Sequence, residues 1–369
     1  MLLFTPGPTP VPESVRNAMA GETIHHRTPE FEAIFARTRQ ALFSLMKTDE
    51  VVMLASTGTG AMESAVINLC RDTLLNVNAG KFGERFGKIA RAHGLGSVEL
   101  KYEWDTPASV DDVLLALETN PQIDAVAIQI SESAGGLRHP VEKIAEAVKA
   151  LRPDVMVIAD GITAVGVEPI DVTHIDALLA GSQKALMLPP GLAIVGLSEA
   201  AVEKIGEGKG YYFNLATEIG KQRANTTAWT AATTLVIGLE AVLAQMAAKG
   251  FDALYEETAR RGAATRAALE AVGLHVYPKA PAPSMTTIDD ANAGEIRSLL
   301  KKEFGVNVAG GQDHLKGKIF RINHMGLIEP YEMAWVANAV EVALDKLGRR
   351  PYDGTAGRIF NEIYYGLGA

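Results

Sequence analysis

The chain has 369 residues, 47% of them hydrophobic and 21% charged, which is the balance of a folded globular protein with an ample core and no need of a stabilising metal or disulfide. Its 35 basic and 44 acidic side chains leave a net charge of −9, which argues against a broad phosphate-neutralising face for nucleic acid. The single cysteine, Cys70, excludes an internal disulfide framework and a cysteine-rich zinc site.

Pro6, Pro8, Pro10 and Pro12 fix φ and remove amide donors, so the opening residues read as an extended arm, over 1–22, rather than as helix or strand. No basic leader with a long apolar region opens the chain, and a cytoplasmic protein is expected. Phe31, Ile34, Phe35 and Leu42 recur at threes and fours and predict a helix over 29–46. Short apolar runs at 51–54, 73–77, 125–130, 155–159, 177–180 and 192–195 read as strands. Helical stretches at 59–69, 81–93 and 140–151 lie between several of them. That alternation predicts an α/β domain with a mostly parallel sheet over 23–250. The most apolar stretch, 231–248, is interrupted by polar positions and by Glu240, so no membrane-crossing helix is expected. From 251 the texture changes. A long alanine- and arginine-rich helix reaches about 272. Strands at 275–277, 285–288 and 318–322 and helices at 293–304 and 330–347 follow, giving a smaller α+β domain over 251–348. The tail, 349–369, holds three tyrosines and four glycines and carries no assigned role.

Three places carry chemistry. Ser56-Thr57-Gly58-Thr59-Gly60 lies between a strand and a helix, where small residues let backbone N–H groups approach an anion at the positive helix end. Glu63 stands where a dinucleotide fingerprint needs its third glycine, and no Gly-Lys-Ser/Thr follows as in a P-loop. An ordinary turn with capping threonines accounts for the same residues. Asp160 follows the apolar strand 155–159, at the carboxyl end where open α/β sheets bind ligands. It could hold a proton on a ring nitrogen, or simply cap a loop. Lys184, in Gly181-Ser182-Gln183-Lys184-Ala185-Leu186-Met187-Leu188-Pro189-Pro190-Gly191, follows a buried strand, and a constrained, desolvated lysine loses its proton readily and attacks carbonyls.

The lysine loop resembles that of the class V, fold-type I aminotransferases that use pyridoxal 5'-phosphate, nearest to the serine–pyruvate and alanine–glyoxylate type. The similarity runs from residue 1 to about 345. It includes Thr5-Pro-Gly-Pro-Thr-Pro near the start and Ile319-Phe-Arg-Ile-Asn-His-Met-Gly326 near the end, with the motifs in the family's order. The resemblance implies a large domain with a mostly parallel central sheet and a smaller C-terminal α+β domain. It implies that Lys184 forms the Schiff base with the cofactor and then serves as general base and acid. Asp160 would pair with the pyridinium nitrogen. Thr57, Gly58, Thr59 and Gln183 would hold the phosphate. Phe82, where the family often has tryptophan, would stack on the ring, with Ile162 packed behind it and Ser133 near the 3-oxygen. Arg321 would grip the substrate carboxylate, although an arginine buried with a carboxylate partner is the plainer reading. Thr230 would reach the phosphate of a neighbouring subunit in a homodimer with shared sites. Thr227 replaces a tyrosine and Ala134 a hydroxyl-bearing residue common in the family.

The function so implied is a ping-pong transamination from alanine or serine to glyoxylate or pyruvate. Aspartate is the alternative donor if His25, His26 or Arg27 supplies a second positive group. A cysteine desulfurase-like lyase needs a cysteine on a mobile loop, and Cys70 sits at a helix end instead. A non-catalytic binding relative is disfavoured by the intact Lys184 and Asp160. Trp104 and Trp229 read as structural.

Overall fold

The computed structural model describes residues 1–367. Its larger sheet has seven strands in the order Glu50–Leu54, Ala193–Leu197, Ala177–Gly181, Met156–Asp160, Ile123–Gln129, Thr73–Asn78, Gly96–Lys101. Ala193–Leu197 runs antiparallel to both of its neighbours, and every other pairing is parallel. Successive side chains of a strand point to opposite faces. Val51 and Met53 therefore enter one core with Phe31, Phe35, Leu42, Val141, Ile144 and Leu239, while Val52 and Leu54 enter another with Met62, Val66, Leu69 and Phe86. Helices on both faces bury the central strands completely, which is why those strands read as continuous apolar runs rather than alternating ones.

The second sheet has five strands in the order Leu2–Phe4, Val306–Gly310, Ile319–Asn323, Met285–Asp289, His275–Val276. Helices Phe251–Ala271, Ala293–Glu303, Pro330–Lys346 and Thr355–Tyr365 contribute side chains to its separate core.

One expectation is corrected here. The opening arm is not wholly extended and unpaired. Leu2–Phe4, which precede the first proline, form an edge strand parallel to Val306–Gly310, with Leu2 opposite Val306 and Phe4 opposite Val308. Phe4 is only 1% exposed, so its burial supplies the pairing energy that three residues of ladder would lack. The arm also holds the helix Glu13–Met19, which packs on Thr233–Lys249. The tail has structure as well: Thr355–Tyr365 is a helix that packs on Phe251–Ala271 through buried Ala356, Phe360 and Tyr364. Its start is tied to buried Glu341, which accepts the Thr355 and Ala356 N–H groups and an Arg350 guanidinium. The edge strand Gly96–Lys101 and the helix Val110–Thr119 were not foreseen. The former is largely exposed and so lacks an apolar run.

Among the described residues no single helix is long and apolar enough to cross a membrane. The helices Thr233–Lys249 and Phe251–Ala271 meet at 84° across Gly250.

Candidate active site

The carboxyl ends of the parallel strands and the loops beyond them border a cavity that opens to solvent, with about 570 Å³ of free space including its mouth. Thr57, Gly58, Thr59, Phe82, Arg85, Ser131, Ser133, Asp160, Ile162, Thr163, Gln183 and Lys184 line it. Every expected cofactor contact except Thr230 is therefore in one wall. Arg85, Ser131 and Thr163 were not singled out from the sequence. Arg85 was findable, because it stands one helical turn after Phe82 and so shares its face.

Asp160 ends the central strand Met156–Asp160 and is 5% exposed. Burial pushes its carboxyl up to about 6, against the Ile162 N–H, which donates to Oδ1 at 2.9 Å, and against the charges of Lys184 and Arg85. Lys184 lies in the loop after Ala177–Gly181. Burial pulls its amine down to about 8; Arg321 acts in the same direction and Asp160 resists. The result is a buried amine that is partly neutral near physiological pH, facing a carboxylate.

The N-terminal arm closes over this lysine. Lys184 Nζ donates to the Pro6 carbonyl. Thr9 Oγ1 donates to the Lys184 carbonyl at 2.7 Å, and the Thr9 N–H donates to the Gln183 carbonyl at 3.1 Å. Gly7 has φ +123°, and a Cβ there would stand 2.7 Å from both Cδ and Nζ of Lys184. The positive φ favours glycine here, and its missing Cβ leaves the lysine end in place.

At the other end of the cavity, helix Gly58–Leu69 begins with Thr57 as N-cap. No side chain caps its first turn and no acidic residue lies in it. A Cβ on Gly58 would meet Ile162 Cδ1 at 2.5 Å, so the glycine keeps open the space beside the helix end. Gln183 Oε1 is buried without a hydrogen-bond partner. Free helix N–H groups and two threonine hydroxyls suit a phosphate monoester. The cradle and the lysine–aspartate pair together fit pyridoxal phosphate.

Phe82 is set by a residue that sequence reasoning passed over. Glu132, fully buried, accepts the N–H groups of Phe82 at 3.0 Å, Gly83 at 2.9 Å and Ala134 at 2.9 Å. It accepts first-turn N–H groups of helix Lys81–Ala92 from the segment after the neighbouring strand Ile123–Gln129 and binds the Phe82 and Ser133–Ala134 segments to each other. Burial pushes its carboxyl up to about 7, opposed by these three donors.

Arg321, in strand Ile319–Asn323, is 8% exposed and stands behind Ser133 rather than in the cavity wall. Among the described residues no carboxylate pairs with it, so the plainer of the two expectations does not hold. Nη1 donates to the Ser133 carbonyl at 2.5 Å, Nη2 to the Gly310 carbonyl at 2.5 Å, and Nε is buried without a partner. Burial pulls the guanidinium down to about 10, with Glu132 opposing.

Other residues lie apart. Thr230 is exposed and borders a separate hollow of about 380 Å³ with Phe35, Tyr212, Thr227 and Trp229. Arg27 is tied to the same region, donating to Thr226 Oγ1 at 2.7 Å and to the Thr227 carbonyl at 2.8 Å, while the rings of His25 and His26 stand 4.7 Å apart beside it. Cys70 is fully buried, its Sγ 3.3 Å from Asp124 Oδ1, and burial pushes its thiol up to about 12. Trp104 meets His314 edge-on at 4.6 Å.

Residues 1–326 match the family model for class-V aminotransferases. An uncharacterized aminotransferase of Helicobacter pylori is 52% identical over 369 residues, covering all of both chains. The L-aspartate–glyoxylate aminotransferase of Paracoccus denitrificans is 29% identical, with 93% of this chain and 91% of that protein covered. The crystal structure of a subgroup IV aspartate aminotransferase from Thermus thermophilus superposes with a TM-score of 0.88 at 32% identity, over 94% of this chain and 99% of that one. With its lysine–aspartate cavity set in this two-sheet architecture, the chain belongs to the class-V aminotransferases, fold-type I enzymes that depend on pyridoxal phosphate.

Proposed function

We propose that this enzyme moves an amino group from a small amino acid, alanine or serine, to a small 2-oxo acid, glyoxylate or pyruvate, in a ping-pong cycle. One observation carries the assignment of roles: Lys184 and Asp160 enter a single cavity, one with its amine lowered and the other with its carboxyl in electrostatic reach. Bound pyridoxal phosphate supplies an electron-withdrawing ring and an aldehyde that accepts the amino group. Lys184 would hold the aldehyde end, and its Nζ would move the proton at the substrate's α-carbon. Asp160 holds a proton at the ring nitrogen. Thr57, Gly58, Thr59 and Gln183 bind the phosphate. Phe82 and Ile162 cover the two ring faces, and Ser133 serves the 3-oxygen. Arg321 binds the substrate carboxylate, and its unpartnered Nε is the donor left over from its two backbone contacts.

Thr230 lies outside the cavity of its own chain, which supports a homodimer in which it completes the neighbouring phosphate site. Aspartate is the second reading for the donor. Two relatives carry aspartate in their names, and Arg27 lies beside Thr227 on the same face as Thr230.

The test is borohydride reduction of the holoenzyme followed by peptide mapping. The adduct should sit on Lys184, and label elsewhere or nowhere overturns the assignment. A panel of alanine, serine and aspartate against glyoxylate, pyruvate and 2-oxoglutarate then decides the donor by product. Turnover with none of the three donors rejects the substrate class.

A further inference from the structure

Two cations line the cavity: Lys184, and Arg85 from the second turn of helix Lys81–Ala92. Nothing in the roles given above uses Arg85. Its guanidinium carbon stands 4.8 Å from the centre of the Phe82 ring, and its Nη1 donates to Thr59 Oγ1 at 2.9 Å. Both partners are uncharged, and among the described residues Arg85 forms no ion pair. A half-buried guanidinium in a cavity wall that hydrogen-bonds to no carboxylate, with Asp160 acting on it only through space, is placed for an anionic ligand.

The hydrogen bond to Thr59 has a directional consequence. A hydroxyl has one proton and two lone pairs. With a guanidinium N–H occupying a lone pair, the proton of Thr59 is left to point away from Arg85, into the cavity, and a charged donor polarises it. We propose that Arg85 is a positioning residue for the phosphate end of the cofactor: it turns the Thr59 hydroxyl into a donor toward the phosphate and supplies fixed positive charge there. This rests on the cofactor reading of the cavity.

The guanidinium could instead do nothing but support Phe82. The two roles separate in binding, without reference to turnover. Full-length protein stripped of cofactor is titrated with pyridoxal 5'-phosphate and with pyridoxal, which lacks the phosphate. In R85M the phosphorylated ligand should bind roughly tenfold more weakly, about the worth of one charge-assisted hydrogen bond, while pyridoxal binding is little changed. R85K, which keeps the charge without the planar fork, should recover part of the loss and serves if R85M folds poorly. T59A should lower affinity for the phosphorylated ligand, and R85M should cost less in the T59A background than in the wild type. Equal loss for both ligands, or no loss for either, overturns the proposal. Wild-type protein that binds neither ligand overturns the cofactor reading itself, and the role of Arg85 with it.

Discussion

Lys184 shows how a single side chain is retuned by its surroundings. In water its amine would stay protonated to a pH near 10.5, whereas burial brings it to about 8. Only the free amine attacks an aldehyde, so capture of pyridoxal phosphate by the stripped protein should accelerate as pH rises through about 8 and level off above it. Stopped-flow capture rates across pH 6 to 11 check this, and a midpoint near 10.5 would mean that the amine is not desolvated. Glu132 gives a second expectation. Its three backbone donors converge on one carboxylate, and glutamine can offer only one acceptor oxygen. E132Q should therefore lose about 1–3 kcal/mol of stability, the cost of stranding buried N–H groups, read by denaturant unfolding. Cys70 is the contrasting case. A buried thiol held protonated has no chemistry to contribute, so C70S should turn over like the wild type in a steady-state assay.

At the scale of elements, legibility followed burial pattern. The strands Met156–Asp160 and Ala177–Gly181 are buried on both faces and are visible as unbroken apolar runs. The strand Leu2–Phe4 is not: three apolar residues before a proline cluster carry no period, and only pairing with Val306–Gly310 makes them a strand. Its dependence on a distant partner can be measured. F4A should destabilise the protein by about 3 kcal/mol, as emptying a fully buried aromatic site does, and denaturant unfolding of the variant should report it. The helix Thr355–Tyr365 was obscured in the same way, since its glycines and tyrosines dilute a stripe that only the face of Phe251–Ala271 reveals. Glu132 escaped notice for a related reason. A glutamate between serines carries no local signal that it will cross to cap another helix 50 positions earlier in the chain.

At the scale of the whole molecule, the site joins segments from across the chain. The opening residues meet Lys184, and Arg321 meets Ser133 188 positions away. If two chains share their sites, light scattering should give twice the monomer mass of 39.3 kDa, and T230A should weaken cofactor binding without disturbing the fold. An active monomer is incompatible with a shared site. The residues proposed for the chemistry could be named before any fold was known only through the likeness of their motifs to a family, since strand end, glycine and rigid loop left an ordinary turn or cap open for Asp160 and the Thr57–Thr59 turn; the fold places them with Lys184 around one cavity. Sequence alone also determined the α/β alternation, since a parallel sheet buried on both faces leaves long apolar runs whatever the tertiary details. Which backbone carbonyl covers the lysine, which carboxylate holds Phe82 and what Arg85 and Arg321 bond to were decided only when the chain folded. Those contacts join residues far apart in the chain, and at such separations the linear order carries no trace of who will meet whom.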